Sequence, residues 1–239
     1  MTRLALFHQL TYSRWNCESL STVANRAIHQ SGIEKQHSYS NPLIRTFLDV
    51  VDLVEEEGQR LASIGKELAY HNRSHVADTI NALGFLLSKT RVLNDEDRLL
   101  ALITMAGHDL YHQGKPNEQL RITQEETTSR LLDENCLYLL SSNQRRRVVS
   151  WVLGTKPDVV QANHLAYRNS NKNRHLLTQI MINESDIAAS LNSALSFDLT
   201  KSLLIERGKL NPLVEEVSQL HNAFTKSCYI SSDAALSSF

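Results

Sequence analysis

The chain has few of the residues that end or bend regular structure, with 8 glycines and 4 prolines among 239 residues. So few turn-forming residues disfavour a sandwich or barrel of many short strands, because each hairpin needs its own turn signal. Long helices need few such residues. The composition therefore predicts an all-α protein, folded as a compact bundle of several helices.

Three further absences narrow the class of protein. The 3 cysteines are scattered without a C-x-x-C spacing, so we expect reduced thiols in a cytoplasmic protein and no disulfide framework. No segment approaches the roughly 18 consecutive apolar residues that a membrane span needs. The net charge of −1 lacks the basic excess that is typical of nucleic-acid-binding and membrane-surface proteins. The sequence therefore carries no strong signature of nucleic-acid binding. It does not determine the oligomeric state.

Hydrophobic periodicity and cap signals divide the chain into three segments. Residues 1–41 are predicted to form a polar, partly irregular extension with one short helix over 20–29. A helical core is predicted over 42–226, and the Ser-rich residues 227–239 are predicted to be a flexible tail. Within the core we expect helices from 43, over 73–89, from 95 to about 111, from 123, and over 143–153, 174–195, 199–207 and 212–224.

Two pairs of histidines, each pair four residues apart, mark a candidate site. His71 and His75 lie near the start of a predicted helix, while His108 and His112 end the most apolar helix, with Asp109 beside them. Side chains four residues apart in an α-helix lie on the same side. Imidazole and carboxylate groups at the end of a buried helix need hydrogen bonds, ion pairs or a metal, and this donor set suits zinc, iron, manganese or cobalt. The pattern therefore indicates a divalent metal site.

The residues around these histidines resemble two motifs of the HD-domain metal-dependent phosphohydrolases, and in particular the catalytic domain of the cyclic nucleotide phosphodiesterases. The two motifs are Tyr70-His71-Asn72-x-x-His75 and His108-Asp109-x-x-His112-x-Gly114-x-x-Asn117. Asp186, within a later apolar helix, is similar to the last metal ligand of that family. The resemblance covers roughly residues 43–196 and implies the multi-helix HD-domain fold.

The resemblance also implies a role for each matched residue. His75, His108, Asp109 and Asp186 would hold a first ion, zinc or iron, and Asp109 would reach a second ion, magnesium or manganese. A hydroxide that bridges the two ions is the implied nucleophile, and His71 is the implied general acid for the departing oxygen. The implied substrate is a small phosphate ester, expected to be a nucleotide. The residues expected beside the metals or the substrate are Tyr70, Asn72, His112 and Asn117.

The sequence departs from the phosphodiesterase pattern in three respects. Gln124 stands where generic bacterial HD proteins usually carry histidine, and Asn183 replaces a histidine three residues before Asp186. The glutamine and phenylalanine that grip the purine base in the family have no identifiable counterpart. Two alternatives therefore stay open beside a phosphodiesterase. One is an HD-type nucleotidase that removes phosphate from monoesters, and the other is a non-catalytic HD module that senses a nucleotide.

Overall fold

The computed structural model describes residues 4–33, 40–171 and 173–239. Within these ranges the chain forms 12 α-helices and one short 3₁₀-helix and contains no strand, which confirms the all-α prediction. None of the described helices combines the length and apolarity that crossing a membrane requires. In chain order the elements are α1 (Leu4–Trp15), α2 (Leu20–Gln30), α3 (Pro42–Ser63), α4 (Arg73–Ser88), α5 (Asp95–Gly107), the 3₁₀-helix (Asn117–Gln119), α6 (Gln124–Asn135), α7 (Ser142–Leu153), α8 (Pro157–Asn169), α9 (Arg174–Leu191), α10 (Ser196–Glu206), α11 (Val214–Ser227) and α12 (Asp233–Leu236).

Helix α4 lies at the centre of the fold. Every residue from 75 to 87 is buried, and a helix that is buried on all sides needs a partner on each side. These partners are α1, α2, α5 and α9. Gly84 permits the close approach of α2, since a Cβ atom at this position would lie 2.9 Å from the Cα atom of Ala27. The polar side chains on α4 are therefore held in a fixed, densely packed environment.

Helices α4, α5 and α9 contact one another and carry the candidate ligands. Asn72 caps α4, because its side-chain oxygen accepts hydrogen bonds from the N–H groups of Ser74 and His75. Asn94 caps α5, which begins at the predicted residue 95, and its side chain accepts a hydrogen bond from the N–H of Asp97 at 2.8 Å. Side-chain caps satisfy N–H groups that the first turn of a helix leaves unpaired. They fix the first turns of two of the helices that build the site.

Besides the four-residue α12 in the C-terminal segment, two helices lie where the sequence predicted none. One is α1, whose apolar residues Leu6 and Leu10 are fully buried although polar residues surround them in the sequence. The other is α8, which begins at Pro157, a residue well suited to the first position of a helix. Part of the predicted extension, residues 34–39, lies outside the described residues. The described part of that extension is thus mostly helical and packs against α4.

The C-terminal residues pack against the body of the protein, which differs from the predicted flexible tail. The buried carboxylate of Glu184 on α9 accepts hydrogen bonds from the N–H groups of Ser231 (2.7 Å) and Ser232 (2.8 Å) and from the Ser232 hydroxyl. The ring of Phe239 stacks on that of Phe7, with centroids 6.1 Å apart. A buried carboxylate requires such donors, so Glu184 and the C-terminal segment hold each other in place.

Replacement of Glu184 by alanine is expected to lower the free energy of unfolding by about 1–3 kcal/mol, because the N–H groups of Ser231 and Ser232 lose their acceptor. Urea unfolding followed by circular dichroism measures this loss. The matched control is Glu134→Ala, which removes an exposed carboxylate from α6 and should change the stability by less than about 0.5 kcal/mol. Equal losses in the two variants would contradict the anchoring of the C-terminal segment by Glu184.

Candidate metal centre

Two imidazoles and two carboxylates converge from three separate parts of the chain. The Nε2 atom of His75 lies 3.2 Å from Asp109 Oδ2 and 3.1 Å from Asp186 Oδ1. The Nε2 atom of His108 lies 3.2 Å and 3.3 Å from the same two oxygens. His75 comes from the first turn of α4, His108 and Asp109 follow α5, and Asp186 comes from α9. The structure thus brings together the four residues that were predicted as ligands of the first ion.

The donor atoms have the arrangement that a divalent cation needs. Zinc forms bonds of about 2.0–2.2 Å to imidazole nitrogen and carboxylate oxygen, which places neighbouring tetrahedral donors roughly 3.3 Å apart. His108 Nδ1 lies 2.8 Å from the carbonyl oxygen of Met105, so Nδ1–H donates there and Nε2, once it loses its proton, is the atom that can bind a metal. The Nε2 atoms of His75 and His108 are buried and have no hydrogen-bond partner among the described residues. Buried polar atoms without partners are costly, and a cation between them would remove that cost.

The electrostatics of the cluster also favour a cation. Burial opposes charge on His75, but Asp109 and Asp186 outweigh this effect and raise the pKa of His75 to about 9. The same balance raises the pKa of His108. Burial would raise the pKa of both carboxyls, yet the neighbouring imidazoles hold the pKa of Asp109 and of Asp186 below the usual value. Both carboxylates are therefore ionised, and a divalent ion would displace protons from the imidazoles on binding.

A second cluster joins His71, His112 and Glu206. Nδ1 of His71 lies 2.5 Å from Glu206 Oε1, while Glu206 Oε2 accepts the N–H groups of Tyr70 (2.8 Å) and His71 (3.0 Å). The rings of His71 and His112 stack with centroids 3.7 Å apart. Burial, with a contribution from the neighbouring His71, lowers the pKa of His112 to about 4. His112 is thus neutral near pH 7, and Glu206 fixes both the backbone and the ring of His71.

Glu206 was not among the residues predicted for the site. It is the last residue of α10 and lies 135 positions from His71 in the chain. No local motif surrounds it, so the sequence offered no signal beyond an amphipathic helix. Burial would raise the pKa of Glu206, but the hydrogen bonds from His71 and Tyr70 outweigh burial and lower that pKa. An ionised carboxylate is therefore hydrogen-bonded to the ring and to the backbone N–H of His71.

Tyr70 and Asn72 support the imidazoles. The Tyr70 ring lies beside those of His71 and His75, with centroid distances of 4.8 Å and 4.9 Å. Its hydroxyl lies 3.1 Å from the Ser190 hydroxyl. Asn72 accepts the N–H of His75 at 3.2 Å as the cap of α4. Both residues thus lie next to the predicted ligands and restrict the positions of their rings.

Asn117 and the two atypical residues, Gln124 and Asn183, make structural hydrogen bonds. The Asn117 amide donates to the Glu125 carboxylate at 2.9 Å and accepts the N–H of Gln124 at 2.9 Å. The side chain of Gln124 is buried, accepts the N–H of Gln113 at 3.2 Å and donates to the hydroxyl of Thr128 on α6 at 3.0 Å. Asn183 donates to the carbonyl oxygen of Gly154 at 3.1 Å. The two departures from the family pattern therefore stabilise loops, and the four-ligand cluster forms without them.

Both clusters line one cleft of about 150 Å³. His108, Asp109 and Asp186 form part of its wall, and the His71–Glu206 pair forms another part. Lys115 and Arg207 also line it and add positive charge. Among the described residues, no phenylalanine, tyrosine or tryptophan contributes to the wall. The residues of this wall are His71, His108, Asp109, His112, Gly114, Lys115, Pro116, Asn117, Gln124, Glu125, Thr155, Pro157, Asp186, Leu203, Glu206 and Arg207.

Comparison with known protein families agrees with the motifs. Residues 70–138 match the family of the 3'5'-cyclic nucleotide phosphodiesterases. The matched segment contains both histidine motifs, whereas Asp186 and Glu206 lie outside it and reach the site on α9 and α10. Divalent metal dependence is a property of that family, and the clustered donors of this chain are able to bind such ions. The match and the all-helical fold confirm the predicted resemblance to the catalytic domain of these phosphodiesterases, and the matched part is residues 70–138.

Proposed function

We propose that the protein is a metal-dependent phosphodiesterase that hydrolyses a cyclic nucleotide or a related phosphodiester. The observation that carries this proposal is the presence of two donor clusters on one cleft. A metal site by itself would also suit a sensor or a structural role. An imidazole that is held by a carboxylate beside that site supplies the proton that ester cleavage needs.

The ligand cluster defines where the ions would bind. His75, His108, Asp109 and Asp186 would hold zinc or iron. Asp109, whose Oδ2 faces both imidazoles, would also help to hold magnesium or manganese. When bound, such ions make water nucleophilic at neutral pH, and paired ions stabilise the attacking and leaving oxygens of an in-line displacement.

The residues of the chain would then provide the proton and the orientation. The Glu206 carboxylate keeps a proton on Nδ1 of His71 and stabilises the charged imidazolium, which gives its Nε2 proton to the departing oxygen. The neutral ring of His112 stacks on His71 and adds no competing positive charge. Lys115 and Arg207 line the cleft and would attract the phosphate group.

Glu206→Gln is expected to lower kcat by about 10–100-fold while the bound metal stays unchanged, as is typical for residues that act through a neighbour. The amide cannot stabilise a charged His71, although it retains an oxygen for the backbone N–H groups. Steady-state kinetics and metal analysis of the same sample measure both effects. Glu215→Gln, at an exposed position of α11, is the control. Unchanged kcat in Glu206→Gln would contradict the positioning role.

The proposed activity is tested with a substrate panel on purified protein supplied with zinc, magnesium or manganese. The panel contains 3',5'-cyclic nucleotides, cyclic dinucleotides, the corresponding nucleoside monophosphates and bis(p-nitrophenyl) phosphate. We expect cleavage of diesters and, by elemental analysis, two ions per chain. Activity on monoesters only, with one ion, would assign the chain to the HD nucleotidases. Tight nucleotide binding without turnover would assign it to the sensor modules, and either result overturns the proposal.

A further inference from the structure

A second cavity, of about 330 Å³, lies between the α1–α2 turn, α3 and the first turns of α4. None of the four proposed metal ligands lines it. The cavity is large enough for several water molecules or for one small organic molecule. It lies where α1 and α2, which are outside the family match, meet the helix that carries His75.

Three residues that line this cavity have polar atoms without partners. Asp78 is 1% exposed, and its Oδ2 atom accepts a hydrogen bond from Arg14 Nε at 2.5 Å. The other oxygen of Asp78, the Nη2 atom of Arg14 and the Oε2 atom of Glu18 are buried and lack a hydrogen-bond partner within the described ranges. Each such atom costs free energy until a partner satisfies it. The residues of the cavity wall therefore hold two unused acceptors and one unused donor.

The charges of the lining residues restrict the chemistry of an occupant. Four carboxylates and two guanidinium groups surround the cavity. The Arg73 guanidinium is already paired with Glu67 (2.7 Å) and Glu55 (2.9 Å), and Glu18 is paired through Oε1 with Arg26. The unused atoms belong to Arg14, Glu18 and Asp78. An inorganic cation would leave Nη2 of Arg14 without a partner, and a simple anion would be repelled by the carboxylates. A molecule with both charges would satisfy both kinds of atom. The lining charges are Glu18, Glu55, Glu67, Asp78, Arg14 and Arg73.

We propose that this cavity binds a small zwitterion with the chemistry of an α-amino acid. Its ammonium group faces Asp78 and Glu18, and its carboxylate faces Arg14. Because carboxylates outnumber guanidinium groups in the lining, basic and neutral amino acids bind more tightly than acidic ones. Neither the metal ligands nor the His71–Glu206 pair takes part, so the site is independent of the proposed hydrolytic activity.

The test is isothermal titration calorimetry of the full chain with each standard amino acid and with methylamine and acetate, at constant pH and ionic strength. We expect saturable binding of at least one basic or neutral amino acid, and weaker binding of glutamate, methylamine and acetate. Asp78→Asn and Glu18→Gln should each weaken that binding by about tenfold or more, because the ammonium loses a charged acceptor. Glu18 lies outside the helices, so Glu18→Gln keeps the test valid if Asp78→Asn does not fold.

A matched control is Glu96→Gln, which also removes a carboxylate paired with an arginine, Arg147, and should leave the affinity unchanged. The absence of binding by every amino acid would overturn the proposal and assign the cavity to water. Methylamine binding as tightly as the amino acids would also overturn it, because Arg14 would then not recognise a carboxylate. Equal affinity in the wild type, Asp78→Asn and Glu18→Gln would place the ligand elsewhere.

Discussion

Asp109→Ala is expected to abolish both metal binding and hydrolysis while most of the helical content remains. Its Oδ2 atom lies 3.2 Å from the imidazole nitrogens of both His75 and His108, so this carboxylate contributes to the site from a central position. We expect turnover to fall by at least about 10³-fold, more than the roughly 10–100-fold that is typical for residues outside the coordination sphere. The fold should persist because Asp109 follows the end of α5 and is only partly buried.

Elemental analysis, turnover of a phosphodiester and far-ultraviolet circular dichroism of the same preparation measure this result. Asp52→Ala is the matched control, since Asp52 is an exposed aspartate on α3 and should leave all three quantities unchanged. Asp109→Ala protein that keeps its metal and its activity would contradict the proposed role of this carboxylate.

His71→Ala is expected to reduce the turnover of different substrates to different extents, depending on their leaving groups. For an ester with a ribose or alkoxide leaving group, the loss of a general acid should reduce turnover by about 10²–10⁴-fold. The loss should be much smaller for bis(p-nitrophenyl) phosphate, because p-nitrophenolate departs without protonation. Metal content should stay at the wild-type level, since His71 is bonded to Glu206 and is not one of the four proposed ligands.

A control variant and a double variant test whether the effect of His71→Ala is specific. His29→Ala removes an exposed histidine from α2 and should leave both substrates unaffected. The double variant His71→Ala/Glu206→Gln should be no slower than His71→Ala, because residues that act as one unit are not additive. Equal losses for the two types of ester would rule out proton donation by His71.

The histidine motifs and several helix starts could be recognised because their signals are local. His75, His108 and Asp109 stand in short motifs, and helical spacing places the members of each motif near one another. That the two motifs and Asp186 meet was implied only by the family resemblance. The structure likewise contains both hydrogen bonds of a capping box between Thr123 and Glu126, at the point where the sequence predicts the start of a helix. Local patterns of this kind act within one or two helical turns, so they do not depend on contacts with distant parts of the chain.

The features that the sequence did not reveal depend on distant contacts. Glu206 reaches His71 only because α10 packs against α9, and no spacing in the sequence encodes that contact. Glu184 is satisfied largely by backbone N–H groups, which are the same in every residue other than proline and so leave no trace in the composition. The composition of the Ser-rich C-terminal segment therefore predicted a flexible tail, although the buried carboxylate of Glu184 on α9 binds this segment.

The most direct test of the central claim is a crystal structure with anomalous diffraction data, from crystals grown with zinc or manganese and measured at the absorption edge of that metal. The account predicts an anomalous peak bonded to the Nε2 atoms of His75 and His108 and to carboxylate oxygens of Asp109 and Asp186. Direct pairing of these imidazoles with the two carboxylates, with no anomalous peak between them, would contradict it.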